Sequence, residues 1–584
     1  MTNRRFLMRV AGLIAVVGLL TGACGGDSDD SVSPASGDAD RGFVTEPEPA
    51  GDDGASGAAG SSEESSRVEA SVSDDAQRDT EAGFAGGDAL TGEEPAAESA
   101  SESAPIAPAG GLLDSDERGA EQPDGREDAE APKDTTFENY GVRGFVETND
   151  DPLSTFALDV DTGSYSVGRS YLNNGLLPPA DSVRVEEYVN AFDYDYDDPD
   201  EDLGITIEGG PSPFDDDNYI VRIGINSEIL DDDDRPGVAL TFVIDTSGSM
   251  RQDDRLELVK DALEELVEEL DSGDTIAIVE FDDNPSIVLE PTRVDDIDEI
   301  LDAIDDLEPG GSTNVEAGLE LGYDLAGEAF DDDRVNRVIL LSDGVANVGL
   351  TDPDGLARMI RRDADRGINL LTVGVGMGNF NDVLMEQLAD HGDGFYAYVD
   401  TKDEAERLFE DDPTATLVTL AIDAKVQVAF DEDIVEEYRL IGFENRGVLD
   451  SDFRNDEVDA GELGAGHQVT AIYEVELERG VDIGDRGELG EVSLRWQVPG
   501  SDRIVEIDED IDLDMISSRW TETSESFQLA VVVATFAEVL RGSPFADRID
   551  LDDLEEEIDA LADRMNDRDV DELADLVALA ERLG

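Results

Sequence analysis

Three chemically versatile residue types are almost missing from this 584-residue chain. Cys24 is the only cysteine, so no disulfide can form within one molecule. His391 and His467 are the only histidines, and neither has a Glu-x-x-His or cysteine partner, which argues against a zinc site or a Ser-His-Asp triad. Lysine occurs only at Lys133, Lys260, Lys402 and Lys425.

Positive charge is scarce as a whole. The chain has 40 Lys+Arg against 146 Asp+Glu, which gives a formal net charge of -106. Such a charge repels phosphate backbones and anionic lipid headgroups, so we expect no nucleic-acid partner and no binding to a bilayer through surface charge. Runs such as Asp231 to Asp234 are typical of proteins from saline surroundings and equally of GC-rich genomes, and the sequence favours neither explanation.

The start of the chain has the pattern of an export signal. Three arginines precede an apolar run from Val10 to Leu20, which is too short to span a membrane. Small residues then lead to Cys24, as in a bacterial lipoprotein processing site, although Thr21 stands where a larger apolar residue is usual. We therefore predict a signal peptide over residues 1–23 and an extracytoplasmic chain anchored by an acylated Cys24. A cleaved, soluble secreted protein is the alternative, and Sec and twin-arginine export both stay open.

Residues 24–135 are predicted to be a disordered acidic linker. Their composition is Gly, Ser, Ala, Pro, Asp and Glu, as in GDDGASGAAGSSEESS, with almost no aromatic or branched apolar residues. A segment of this kind cannot bury enough apolar surface to fold, and its like charges extend it. We expect it to lift the folded part away from the membrane.

Order is predicted from Phe137 onward, in three segments. Residues 136–235 form an N-terminal module with strand-like runs and an amphipathic stretch, and residues 236–412 alternate between strands and helices. Residues 413–584 begin with alternating strands such as HQVTAIYEVEL, which predict a β-sandwich-like region. From Met515 the pattern becomes helical, with one buried helix and two acidic amphipathic helices.

The middle segment predicts an α/β fold. Runs such as VALTFVID and VNRVILLSD are typical of strands buried on both faces of a largely parallel sheet. Between them, Leu256, Val259, Leu263 and Leu266 recur at helical spacing. This alternation predicts a doubly wound, Rossmann-like sheet with right-handed crossovers. TIAIVEF and SIVLE are separated by only a few residues, so they predict a hairpin that adds one antiparallel edge strand.

Polar oxygens are concentrated after the strands of this segment. The first strand ends in a D-T-S-G-S turn that contains Asp245, Ser247 and Ser249, and two later loops carry Thr313 and Asp343. Ligands of open α/β sheets bind at the carboxyl ends of the strands, and the glycine lets the turn fold tightly. Carboxylate and hydroxyl oxygens suit a hard divalent cation. The turn by itself is also compatible with a simple helix N-cap.

These five residues, in this order and strand context, resemble the metal-ion-dependent adhesion site of von Willebrand factor A (VWA) domains. The resemblance implies a site for Mg2+, or for Mn2+ or Ca2+, in which one carboxylate reaches the metal through water. Because hydroxyls are neutral ligands, the cation keeps positive charge and an open position that a partner's carboxylate can occupy. The implied function is adhesion or protein binding through an acidic group of an unknown protein ligand, without enzyme activity. The alternative is a structural envelope protein whose metal site is only stabilising.

The flanking segments extend the resemblance from Phe137 to the C-terminus. An Asp159-Val160-Asp161-Thr162 stretch, Tyr165 and the run LPPADSVRVEEYVNAFDYDY precede the VWA-like segment, and an all-β and then helical tail follows it. This order is similar to that of a bacterial VWA lipoprotein family known as YfbK-like. The resemblance implies the fold and the site, and it implies little about the ligand.

Three other motifs resemble functional sites of different classes, and each lacks a part that its function requires. Asp161-Thr162-Gly163 resembles the D-T-G of aspartic proteases, but no second such motif occurs in a matching context to supply the partner aspartate. The glycine-rich stretch 374–378 lacks the lysine of a phosphate-binding loop. The Asp runs 215–217 and 331–333 lack the spaced ligands and the glycine of a calcium loop.

Overall fold

The computed structural model describes residues 137–584, apart from 138, 200, 216–217, 231–234, 345–352, 377–381, 412, 457, 459, 482, 484–486 and 502. The predicted signal peptide, the predicted acylation site Cys24 and the predicted linker lie outside the described residues.

The described strands are β1 (Val146–Glu147), β2 (Leu153–Ala157), β3 (Leu203–Pro211), β4 (Tyr219–Ser227), β5 (Val238–Asp245), β6 (Thr275–Phe281), β7 (Ser286–Arg293), β8 (Val335–Ser342), β9 (Ile368–Val375), β10 (Tyr396–Val399), β11 (Thr419–Phe430), β12 (Val435–Ile441), β13 (Gly461–Gly464), β14 (Gln468–Leu477), β15 (Glu488–Gln497) and β16 (Ile504–Asp512). The described α-helices are α1 (Gly163–Asn173), α2 (Val185–Asn190), α3 (Arg255–Glu269), α4 (Ile297–Asp305), α5 (Val315–Ala329), α6 (Pro353–Ala364), α7 (Asp382–Asp390), α8 (Lys402–Glu406), α9 (Pro413–Leu417), α10 (Glu525–Leu540), α11 (Leu551–Met565) and α12 (Arg568–Leu583).

The middle of the chain forms a six-stranded sheet with the order β10-β9-β8-β5-β6-β7. β5 pairs in parallel with β6 and with β8, and β9 continues the parallel arrangement to β10. β7 pairs antiparallel with β6 and occupies the edge. The predicted doubly wound VWA sheet and its antiparallel edge hairpin are therefore confirmed.

Both faces of this sheet are covered, and β5 shows how. Leu240 and Phe242 belong to a core that also contains side chains of α3 and α4. Val243 points the other way, into a core formed with α5, α6 and α7. Successive strand residues face opposite sides of the sheet, and helices cover both sides. Every residue of β5 is therefore buried, which explains its continuous apolar run.

The regions before and after the α/β sheet share their β-sheets. One sheet has the order β1-β12-β14-β4-β3, so the early strands β1, β3 and β4 lie in the same sheet as the late strands β12 and β14. In the other, β11 pairs with β2, β13 and β15, and β15 pairs with β16. The two sheets enclose a common core that includes Val221, Val426 and Trp496. The α/β segment is thus inserted between two halves of one β-sandwich.

Helices cover the outer face of the first sandwich sheet. α10 is the predicted buried helix, and residues such as Phe527, Val532 and Phe536 pack in a core with α1, α2, α11 and α12. A helix that is apolar on all sides is stable only when it is enclosed, and here the sheet and the amphipathic helices α11 and α12 enclose it. Within the described part of the chain, no helix combines the length and the apolar character needed to cross a membrane.

Candidate metal site

The D-T-S-G-S turn begins where β5 ends. Asp245 is fully buried, and its Oδ1 accepts a hydrogen bond of 2.8 Å from the backbone N–H of Ser247. The hydroxyl oxygens of Ser247 and Ser249 lie 3.0 Å apart. Ser247 directly precedes the 3-10 turn Gly248–Asp254, yet its side chain makes no capping hydrogen bond. The turn therefore gathers a carboxylate and two hydroxyls without using the Ser247 hydroxyl as an N-cap.

The loop that carries Thr313 lies against this turn. Gly310 donates a backbone hydrogen bond of 2.6 Å to Thr246 O, and Gly248 donates one of 3.2 Å to Gly311 O. Gly311 has a φ of 69°, a left-handed conformation that favours glycine. Thr313 is buried just before α5. Two backbone hydrogen bonds thus fix the loop beside the turn.

The third part of the site follows β8, the strand next to β5. Ser342 donates its hydroxyl to Asp245 Oδ2 over 2.7 Å, and Gly344 N–H donates to the Ser342 hydroxyl over 3.1 Å. Asp343 is fully buried between these two residues. The Ser342 hydroxyl therefore joins the ends of the two parallel strands and places both aspartates at the same edge of the sheet.

Burial and like charge dominate the electrostatics of this edge. Burial, followed by the proximity of Asp343, raises the pKa of Asp245 to about 6, and the hydrogen bonds from Ser342 and Ser247 partly oppose the rise. Arg255, the first residue of α3, donates from Nη1 to Asp343 Oδ2 over 2.7 Å. One of the two carboxylates thus has a positive neighbour within the protein.

The donor set fits a hard divalent cation. Asp245 and Asp343 supply carboxylates, Ser247 and Ser249 supply adjacent hydroxyls, and Thr313 lies on the adjoining loop. Oxygen donors of this kind are those that Mg2+ and Ca2+ prefer. The structure brings the turn, the loop and the strand end together as the sequence predicts, and cation binding itself stays a prediction.

Two residues of this edge were missed in the sequence. Ser342 stands beside the predicted ligand Asp343, and nothing in its position signals a bond to Asp245. Arg255 had a usable signal, because it lies one helical turn before Val259 and hence on the apolar stripe of α3. A charged residue on a buried stripe needs a partner, and here the partner is Asp343.

A second group of buried carboxylates lies elsewhere, and we call Asp159, Asp161 and Glu187 the junction cluster. Their oxygens lie within 4.8 Å of one another. Arg446 contacts Asp159 at 2.9 Å and Asp161 at 3.1 Å, and Arg184 pairs with Glu187. The D-T-G aspartate, Asp161, is therefore buried in an ion-pair network that joins the two flanking regions of the chain.

Burial also raises the pKa values of two members of the junction cluster. Burial raises the pKa of Glu187 to about 8, despite the nearby Arg184. Burial and then the Asp159 charge raise the pKa of Asp161 well above its usual range, although Arg446 acts against this. Among the described residues, one further trio of carboxylates has a comparable spacing, but Asp552, Glu555 and Glu581 lie at the surface or close to it.

Comparisons with known proteins agree with this architecture. Residues 131–222 match a family model described as von Willebrand factor, and residues 240–345 match the von Willebrand factor type A domain. Residues 415–583 match the C-terminal region of uncharacterized protein YfbK. VWA domains generally take part in protein–protein interaction and commonly bind a divalent metal.

Individual proteins match over different lengths. The inter-alpha-trypsin inhibitor heavy chain H3 of Homo sapiens is 29% identical over 180 residues, 30% of this chain and 19% of that protein. The solved structure of a von Willebrand factor type A protein from Catenulispora acidiphila covers 60% of this chain and 89% of that chain, with 16% identity and a TM-score of 0.38. Uncharacterized protein YfbK of Escherichia coli (strain K12) is 35% identical over 442 residues, 71% of this chain and 75% of that protein. The chain therefore belongs to the YfbK family of VWA-domain proteins.

Proposed function

We propose that this protein binds another protein outside the cytoplasm, in a cation-dependent manner, at Asp245, Ser247, Ser249, Thr313 and Asp343, and that it catalyses no reaction. The observation that carries the proposal is the convergence of oxygen donors at one edge of the sheet. The Ser247 and Ser249 hydroxyls lie 3.0 Å apart beside the buried Asp245 carboxylate, which the Ser342 hydroxyl ties to the strand that leads to Asp343.

These residues are suited to hold a cation and to leave one of its coordination positions open to a further ligand. A bound Mg2+, Mn2+ or Ca2+ would supply a position at which a partner's carboxylate replaces a water. Asp245 is held by hydrogen bonds from Ser247 N–H and from the Ser342 hydroxyl, so its orientation is fixed before any ligand arrives. The hydroxyl donors are neutral and cancel none of the cation's charge.

The charge of the chain makes the cation essential. A net charge of -106 repels an acidic partner at long range, and physiological salt limits this repulsion to about 8 Å. Attraction must then come from the site itself. Removing the cation should abolish binding rather than weaken it.

We also propose that an acylated Cys24 anchors the protein to the cell membrane or envelope. The export-type signal before this lone cysteine and the acidic stretch after it support the proposal. One acyl chain holds a protein only marginally, whereas two or more hold it stably. Mass spectrometry of the mature N-terminus should find a diacylated or triacylated Cys24, and an unmodified peptide that starts elsewhere would refute the anchor.

The binding proposal is tested by pull-down from envelope extract with Mg2+, with EDTA, and with Mg2+ restored. Capture should disappear with EDTA, return with Mg2+, and be lost in Thr313→Ala. Ser312→Ala is the matched control, because this neighbouring hydroxyl contacts the exposed Asp283 instead. If Thr313→Ala captures the same proteins as the wild type, the site is not the binding surface. If EDTA lowers only the melting temperature, the structural alternative holds.

A further inference from the structure

The positive charge of Arg255 is built into the candidate metal site. Its side chain is 4% exposed, and Nη1 lies 2.7 Å from Oδ2 of the fully buried Asp343. Arg255 directly follows the 3-10 turn Gly248–Asp254, which begins with the glycine of the D-T-S-G-S turn. The same short segment therefore supplies three of the five proposed oxygen ligands, Asp245, Ser247 and Ser249, and a positively charged side chain.

The backbone fixes the path of this side chain. A Cβ at Gly376, just after β9, would lie 2.5 Å from Arg255 Nε and 2.8 Å from its Cδ. Gly376 also has a φ of 74°, which disfavours other residues. The arginine thus passes directly over a glycine that leaves room for it. The space that Gly376 leaves open holds the Arg255 side chain in one position, unlike that of a surface arginine that reaches a carboxylate by chance.

Arg255 changes the charge balance of the site. Asp245 and Asp343 carry two formal negative charges, and Arg255 neutralises one of them. A divalent cation beside these three residues brings their summed formal charge to one positive charge. The positive charge of Arg255 repels an incoming cation, and its guanidinium already contacts one oxygen of Asp343. Because these charges are buried, salt screens the repulsion only weakly.

We propose that Arg255 is an internal competitor of the cation, which lowers the affinity of the site for divalent metal and leaves the metal-bound site positively charged toward an acidic ligand. The inference rests on the proposed function and deepens it, because it assigns a regulator to the same site. The site is then filled only when the divalent cation is abundant, and it is strongly attractive to a carboxylate once filled.

The test is calorimetric titration of the full chain with MnCl2 in about 1 M NaCl, where a screening length of about 3 Å suppresses diffuse binding to the acidic surface. Specific uptake is defined as the component that Asp245→Ala loses. Arg255→Gln replaces the guanidinium with a shorter, neutral amide and so removes the positive charge from beside Asp343, and its Kd for Mn2+ should fall about tenfold. Arg255→Lys, which keeps the charge, should stay near the wild type.

Arg251→Met is the matched control, since Arg251 is an exposed arginine of the preceding 3-10 turn whose guanidinium contacts Pro309 O rather than a carboxylate. Its Kd should equal that of the wild type. If Arg255→Gln folds and binds Mn2+ no more tightly than the wild type, or if Arg251→Met gains as much, Arg255 is not a competitor. If the wild type has no component that Asp245→Ala loses, the proposed function itself fails.

Discussion

The candidate metal site and the junction cluster are two buried groups of carboxylates in one chain, with different surroundings. At the sheet edge, Asp245 and Asp343 lie beside hydroxyl donors and one guanidinium. In the junction cluster, Arg446 bridges Asp159 and Asp161, and Arg184 pairs with Glu187. Neutral hydroxyl oxygens surround the carboxylates of the first group. In the second group, arginines from the flanking regions contact each of the three carboxyl groups.

The difference shows that clustered acidic residues do not by themselves indicate a metal site. The three carboxyl groups of the junction cluster are geometrically close enough to share an ion, yet guanidinium groups already contact their oxygens. The edge site has fewer carboxylates and more neutral donors, which leaves a cation incompletely neutralised. We therefore expect the junction cluster to contribute to stability, and we keep the proposed binding site at the sheet edge.

The largest effect is expected from Arg446→Ala. This change leaves Asp159 and Asp161 buried without their main counter-ion, and breaking a buried pair in this way costs about 3–5 kcal/mol. Arg454→Ala is the control, because Arg454 is 63% exposed and pairs with Glu506 at the surface, where solvent screens an ion pair and its removal should change stability little. Urea denaturation of the full chain measures both. If both variants lose the same free energy of unfolding, the ion pairs of Arg446 in the junction cluster stabilise the fold no more than a surface pair does.

The pH dependence of stability should also come from the junction cluster. The pKa of Glu187 is about 8 in the folded chain and about 4.3 when unfolded, so the folded state binds more protons between these values. The free energy of unfolding should therefore fall as pH rises from about 5 to about 8, by up to about 1.4 kcal/mol per pH unit for this group. Urea denaturation at constant ionic strength measures the slope. Glu187→Gln should flatten it, and an unchanged slope would assign it to other groups.

A smaller effect is expected from Ser342→Ala at the sheet edge. The change removes the 2.7 Å hydrogen bond to Asp245 Oδ2 and leaves a buried acceptor with one partner fewer, which costs about 1–2 kcal/mol. It should also weaken Mn2+ binding, since Asp245 loses part of its support. Ser312→Ala, in an exposed contact, should change neither quantity. If Ser342→Ala weakens Mn2+ binding no more than this control, the hydroxyl does not position the carboxylate.

The sequence predicts the α/β sheet and its edge hairpin because both depend on local patterns. Apolar runs mark β5 and β8, and a short connection marks the β6–β7 hairpin. The five proposed ligands also have local signals, since they lie at the end of a strand, in the turn that follows it or on a glycine-rich loop, and the resemblance to VWA domains joins them into one predicted site. That these residues bind a cation stays a prediction.

Two features depend on contacts between distant residues and could not be predicted. Nothing in the β2 sequence indicates that Leu153 pairs with Ala429 on β11, since register between remote strands leaves no local pattern. The junction cluster was also hidden, because the sequence marks Asp159 and Asp161 only as parts of short motifs, and in a chain with 32% charged residues nothing local separates a buried acid from a solvated one. Only their burial beside Arg446 distinguishes them.

The central claim is that the sheet edge, and neither other group of carboxylates, holds one divalent cation. Calorimetric titration with MgCl2 or MnCl2 should be carried out on the wild type, on Asp245→Ala and on Asp552→Asn, the last in the surface trio of carboxylates. We predict one saturable site in the wild type that is retained in Asp552→Asn and lost in Asp245→Ala. If the wild type takes up no cation, or if Asp245→Ala takes it up equally well, the five residues only shape the turn and its loops, and the adhesion function is contradicted.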